Sequence, residues 1–184
     1  MAAVVSHVLV AGAASVLFRP GRRVPRRYWI AAALVATIPD IDILFVALGT
    51  RYRGMWGHRG ITHSFLFALA AAAAAAFWVR RRDRSMPVGR LFTVMLLAAA
   101  SHGFLDGLMA SGVGVAFFAP FSAARYTLPW RPIRVPPPSD NPLLNVGGIR
   151  VTASEILWLW MPSLMLILAG LRARAAKRGA PIAS

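Results

Sequence analysis

Cysteine is absent from this 184-residue chain, and acidic residues are nearly so, with six set against 21 lysines and arginines. The first absence excludes disulfides and thiolate metal sites. The second, beside 58% hydrophobic residues and a mean hydropathy of +0.59, excludes an ordinary soluble domain, whose surface carries far more charge of both signs. Nothing basic precedes Arg19, so the apolar start lacks the positive leader of a signal peptide and reads as a retained first helix. Histidine is scarce as well, with four in the chain. The sequence shows no internal repeat.

What the chain has is long apolar runs. Membrane spans are expected at 2–18, 29–49, 61–79, 91–109 and 154–171, close to the roughly 20 residues that cross a hydrocarbon core. Together they specify an all-α, polytopic membrane helix bundle of about five helices, a single domain over 1–175 followed by a basic tail at 176–184. Tyr28, Trp29, Trp56 and Trp78 fall at span edges, as interfacial anchors do. The run Ala70–Ala76 favours close helix packing. The stretch 120–150, with PPP at 136–138, is too rich in proline for regular helix and reads as an extended loop long enough to fold over a site.

A net charge of +15 has the magnitude of a nucleic-acid binder but not the placement. The basic residues punctuate the apolar runs, which is a topology signal and speaks against a nucleic-acid partner. Five arginines lie in 19–27, five in 80–90 and four basic residues after 171, against three in 50–60 and four in 110–153. The positive-inside rule then sets the N-terminus outside and the C-terminus in the cytoplasm.

Eight of the ten histidines and acids stand inside or beside a span: His7, Asp40, Asp42, His58, His63, His102, Asp106 and Glu155. Ionisable groups at that depth cost about 2.5–3.5 kcal/mol each on insertion scales and face a cavity or a partner. At 1.5 Å per helical residue, all eight fall within about 10 Å of one membrane face, whichever face that is. Their spacing fits a metal site. His102 and Asp106, in "SHGFLD", are four apart on one helical face. Asp40 and Asp42, in "PDID", point apart on a regular helix, but Pro39 can unwind it so that both aim inward; otherwise one ligates and the other orients a histidine. His58 and His63, in "HRGITHS", fit a loop that runs into a helix start. Imidazole and carboxylate donors suit zinc, with manganese or iron also accommodated, and this many ligands suits two or more ions.

The neighbouring residues have plainer readings beside the functional ones. Arg59 is an interfacial anchor or a phosphate clamp. Ser64, a candidate catalytic residue with Asp40, Asp42 and Arg59, and Thr62 fit ligand orientation better than nucleophilic attack. Glu155 is a ligand or a helix cap beside Thr152 and Ser154. Arg125, Arg131 and Arg134 read as solvated loop charges, with an anionic headgroup as the alternative contact.

These motifs, from His7 through "PDID", "HRGITHS" and "SHGFLD" to "LPW" near residue 130, resemble the YdjM-type family of bacterial inner-membrane proteins, described as LexA-regulated, membrane-bound metal-dependent hydrolases. More distantly, the order of elements is similar to zinc-dependent phospholipase C. The resemblance implies ligand roles for His7, one of Asp40 or Asp42, one of His58 or His63, and the His102/Asp106 pair. It implies a hydrolase of the inner membrane. The relatives' further histidine and glutamate have no counterpart here apart from Glu155.

The expectation is therefore a membrane enzyme with a zinc-type site in the outer half of the bundle, cleaving a phosphoester on a lipid or lipid-linked substrate. A transporter of metal ions or protons, and a non-catalytic protein stapled by a structural metal, are the alternatives. A reporter fused to the C-terminus should be active only in its cytoplasmic form; activity outside the membrane would invert the topology.

Overall fold

Residues 4–17, 25–84, 86–135 and 152–179 are described in the computed structural model, and no strand occurs among them. The backbone bonds within helices, the arrangement a chain in hydrocarbon requires. Helix α1 (Val4–Leu17) and helix α2 (Arg26–Thr37) are followed by a 3₁₀ turn at Ile38–Ile41 and the short α3 (Asp42–Ala47). A second 3₁₀ turn, Ile61–His63, leads into α4 (Phe65–Arg82), and α5 spans Val88–Gly107. The last helix passes through a π-helical segment, Ile156–Trp160, into α6 (Met161–Gly179).

Three of these helices are long and apolar enough to cross a membrane: Arg26–Ala47, Val88–Gly107 and Thr152–Ala176. The expected second span is thus one helix broken at Pro39, starting at 26 rather than 29. The expected third begins at Phe65 rather than 61, because "ITH" is a tighter turn and Ser64 caps the helix beyond it. Its 18 residues end in Arg80, Arg81 and Arg82, and Arg81 and Arg82 lie 5.0 and 5.2 Å over the Phe77 and Trp78 rings, long side chains bent along apolar surface toward water. The first part of the expected basic tail continues α6 as far as Gly179, and residues 180–184 lie outside the described residues. So do residues 136–150 of the proline-rich loop, PPP included.

Small side chains bring the helices together. Ala68, Ala72 and Ala76 repeat every fourth residue along α4 and are buried with Ala31, Ala32 and Ala36 of α2 and Leu91, Met95 and Ala98 of α5. Tyr28, expected at the interface, is wholly buried instead, its hydroxyl donating to the Ser15 carbonyl of α1. Leu34, Leu44, Phe77, Phe104, Leu157 and Met165 face outward, each more than half exposed, as a lipid-facing surface requires.

Beyond α5 the chain folds back over one end of the bundle. Leu128 N–H donates to the Gly107 carbonyl, Phe65 N–H to that of Phe117, and Ala116 N–H to that of Arg59. Isolated bridges pair Met109 with Ile133 and Val115 with Tyr126. This cover lies directly on the "HRGITHS" turn. Gly103 sets how near that turn comes to α5: a Cβ there would stand 2.9 Å from the His63 carbonyl oxygen. Gly103→Ala should therefore cost about 1–3 kcal/mol, the usual range for overpacking. Thermal unfolding in detergent should register the loss, while Gly89→Ala, where a Cβ meets nothing within 4 Å, should not fall below the parent.

Candidate metal centre

Pro39 opens the second span where the site needs it. The 3₁₀ turn at Ile38–Ile41 aims both carboxylates of "PDID" at His63, from opposite sides of its ring. Asp42 Oδ2 lies 3.1 Å from Nδ1, and Asp40 Oδ1 lies 3.7 Å from Nε2. Both carboxylates point inward, but they divide: Asp40 joins His102 and Asp106 on one side of His63, and Asp42 meets its other nitrogen.

The turn 57–63 is compact for a stated reason. At Gly60 a Cβ would sit 2.1 Å from the Met55 carbonyl oxygen, so no other residue fits without moving backbone. Arg59 beside it takes φ +62°, a left-handed conformation that costs a non-glycine residue about 1–3 kcal/mol and persists only where surroundings enforce it. Here they do. Its N–H donates to Asp42 Oδ2 at 3.0 Å, and its carbonyl accepts from Ala116 N–H. The result turns the side chain inward, 2% exposed, so the interfacial-anchor reading of Arg59 fails. Its guanidinium meets Asp106 through Nε at 3.1 Å and Nη2 at 3.2 Å, and also donates to Ser111 Oγ and Met109 Sδ.

From α5, His102 and Asp106 reach the same point, as their spacing requires. His102 Nδ1 donates to the Ala36 carbonyl at 2.7 Å, which leaves Nε2 facing inward, 3.1 Å from His63 Nε2. His63 is fixed the same way, its Nδ1 held 3.1 Å from both Asp42 Oδ2 and Thr62 Oγ1. Asp106 Oδ2 approaches His63 Nε2 to 3.2 Å, and Asp40 Oδ1 approaches His102 Nε2 to 3.4 Å. Two imidazole nitrogens and two carboxylate oxygens thus face each other, one donor atom from each residue, all within 4.8 Å. Electron pairs packed so closely in a buried pocket repel unless a cation lies among them.

His7 of α1 stacks on His102, with ring centroids 3.9 Å apart. Both its ring nitrogens are buried without a hydrogen bond among the described residues, as are Asp40 Oδ1 and Asp106 Oδ2. Such orphans are rare where no ion or water is to be held. The donor set therefore fits a divalent metal by its chemistry and by what it leaves unsatisfied.

The remaining candidates fall elsewhere. Asp42, His58 and His63 form a second close group. Within it Asp42 Oδ1 takes His58 Nδ1 at 3.0 Å and Oδ2 takes the Thr62 hydroxyl at 2.9 Å, so Thr62 holds Asp42 in place. Glu155 belongs to neither group; its Oε2 accepts from Ser6 Oγ at 2.6 Å, and Trp160 Nε1 donates to that same oxygen of Ser6. Ser64 Oγ accepts from Phe67 N–H as the N-cap of α4, a structural task.

Arg125, expected as a solvated charge, is not one. Its Nη1 reaches the carbonyls of His58, Arg59 and Gly114, and its Nη2 that of Gly54, so one guanidinium ties down the whole turn. Partial burial, with Arg53 and Arg59 nearby, lowers its pKa from the ordinary arginine value. Its partners are backbone carbonyls, which carry no mark in a sequence. Arg131 and Arg134 stay exposed, although Arg134 N–H donates to Ser154 Oγ.

Comparison with known proteins agrees with the membrane architecture. The family model described as "YdjM inner membrane protein" matches residues 1–178. The chain is also similar to inner membrane protein YbcI of Escherichia coli strain K12, 33% identical over 144 residues, which are 78% of this chain and 83% of that one. No solved structure matches.

Ser64→Ala should destabilise the protein by about 1 kcal/mol, the usual worth of an N-cap. The thermal midpoint in detergent should fall for Ser64→Ala and recover in Ser64→Asp, which restores an acceptor. An unchanged midpoint in the alanine variant would return Ser64 to the candidates for chemistry.

Proposed function

The chain belongs to the YdjM family of inner membrane proteins, and on that footing we propose that it is a membrane-bound, metal-dependent hydrolase. One observation carries the reading: two histidines with committed Nδ1 atoms turn their Nε2 atoms toward two buried carboxylate oxygens, all within 4.8 Å. Asp40, His63, His102 and Asp106 would hold the ion, with His7, stacked on His102 and otherwise unsatisfied, as a further donor. Mixed nitrogen and oxygen donors favour zinc and also accept manganese or iron. Bound there, such an ion supplies Lewis acidity and an activated water, the requirements of hydrolysis.

The protein's own residues do the rest. Asp42 orients His63, and is itself held by His58, Thr62 and the Arg59 N–H, an outer layer of the kind that tunes metal affinity. Arg59 fixes Asp106 in place, so it is committed to the site and not to a substrate phosphate. Exposed Arg51 and Arg53, beside the turn, are the cations in reach of an incoming anion.

A lipid or lipid-linked phosphoester is the substrate class we favour, because the cluster lies at one end of helices whose outer faces suit hydrocarbon. An apolar groove of about 420 Å³ between α1, α5 and α6, lined by Val10, Ala14, Phe104, Leu108 and Trp158, starts at the same level and offers room for a chain. By the distribution of arginines this end is the outer one. Conduction of ions or protons has less support: among the described residues the buried polar side chains away from the cluster are few and mostly uncharged, Ser15, Ser163 and Tyr28 among them.

Metal analysis of the purified protein should find a transition metal that His102→Ala and Asp40→Asn lose. Asp42→Asn should weaken binding about 10–100-fold, the usual cost of disturbing an outer partner. Across a panel of phospholipids and polyprenyl phosphates, turnover should need the metal and vanish in the same variants. A parent that binds metal yet turns over nothing on that panel would leave a structural site and end the hydrolase reading.

A further inference from the structure

We propose that the centre takes one divalent ion per chain, because the Arg59 guanidinium is a built-in cation standing where a second ion would share Asp106. This rests on the metal reading above and replaces the two or more ions that the count of histidines and acids suggests.

Three observations lead there. First, Asp42 is already engaged on both oxygens. Its two oxygens already take His58 Nδ1, the Arg59 N–H, the Thr62 hydroxyl and His63 Nδ1, at 2.9–3.1 Å. A carboxylate oxygen offers about two acceptor positions, so Oδ2, which meets three of these donors, is saturated, while Oδ1 is held by His58. The Asp42, His58 and His63 group is therefore held by contacts among its own members, both Nδ1 atoms turned onto Asp42. His63 cannot serve two ions, since its Nδ1 is spent on Asp42.

Second, Asp106 is occupied on its outer side. A bridging carboxylate gives one oxygen to each of two ions. Here Oδ2 faces His63 Nε2 at 3.2 Å and is the oxygen left without a hydrogen bond, whereas Oδ1 takes Arg59 Nη2. The guanidinium, with Nε 3.1 Å from Oδ2, lies against the carboxylate as an ion pair with one hydrogen bond, from Nη2 to Oδ1. It is not a movable guest. The side chain is 2% exposed, further held by Ser111 and Met109, and its backbone is pinned on both sides in a left-handed conformation.

Third, the charges close. The carboxylates of Asp40, Asp42 and Asp106 against one guanidinium leave two negative charges, with ligating imidazoles neutral as metal binding requires. One divalent ion cancels them. A second would leave two positive charges in a pocket whose most accessible member, Asp40, is 14% exposed, and unbalanced charge there is costly. Arg125, the other cation nearby, is spent on backbone carbonyls.

The test is stoichiometry on the full chain in detergent or nanodiscs. Zinc per chain by elemental analysis should be one, and the cobalt-substituted protein should give the paramagnetic signal of an isolated high-spin ion. Two or more equivalents, or the signal of a coupled pair, would overturn the single-ion proposal while leaving the hydrolase reading intact. No bound metal at all would overturn both. Arg59→Gln should take up a second equivalent and Arg59→Lys should remain at one. A folded Arg59→Gln, eluting as the parent does, that still binds one ion with unchanged affinity would show that the guanidinium is not what excludes the second.

Discussion

The imidazole of His63 holds the site together. Its Nδ1 rests on Asp42 and its Nε2 faces Asp40, His102 and Asp106, so the ring joins the "PDID" turn, the "HRGITHS" turn and α5 in one network. Each of these groups alone would be expensive to bury at the end of a membrane helix. Together they are tolerable only in a fixed mutual arrangement, because a buried polar network that is half satisfied costs more than an apolar core. The site is therefore all-or-none: the three segments must meet within a few tenths of an ångström, or the charges that depend on them are stranded.

That demand explains features of the fold that have no chemistry of their own. Gly103 lets the His63 turn rest against α5, and Gly60 lets the turn close on Met55. The alanine repeat of α4 keeps that helix close to α2 and α5, so that the Ala36 carbonyl meets His102. Arg125 clamps the loop carbonyls from above, and the cover after α5 bonds to both Phe65 and Arg59. Strain at Arg59 and the capping of α4 by Ser64 are local consequences of the same tight entry into a helix.

Much of this was legible in the sequence. Apolar runs and arginine clusters marked the helices, with ends off by a few residues where a turn, a cap or a polar last turn replaced regular helix. The shared depth of the ionisable residues, with the four-residue spacing of His102 and Asp106, pointed to the cluster these two form with Asp40 and His63. Proline at 39 signalled the break that lets both aspartates turn inward. What spacing could not decide was rank. Asp40 and Asp42 differ by which side of one imidazole they meet, a property of tertiary packing. Glu155 shares the depth of the others but binds Ser6, since depth along a helix says nothing of direction around it. Arg59 has the look of a surface cation because nothing in "HRG" announces a left-handed residue. Arg125 was invisible for a different reason, that its partners are backbone carbonyls.

The distribution of polarity along the bundle bears on what such a site can do. The histidine and aspartate cluster lies at one end, and the buried residues that continue along α2, α4 and α5 are mostly alanine, valine, leucine and methionine. A conducting path must lower the cost of charge at every depth, whereas the histidines and aspartates here gather at one end. An enzyme needs the opposite: one polar pocket, open where substrate arrives and dry beneath, so that electrostatic interactions within it are strong. A buried guanidinium fits that second design. It offsets part of the carboxylate charge without titrating or diffusing away, and so keeps the cluster from carrying more negative charge than one metal ion can neutralise.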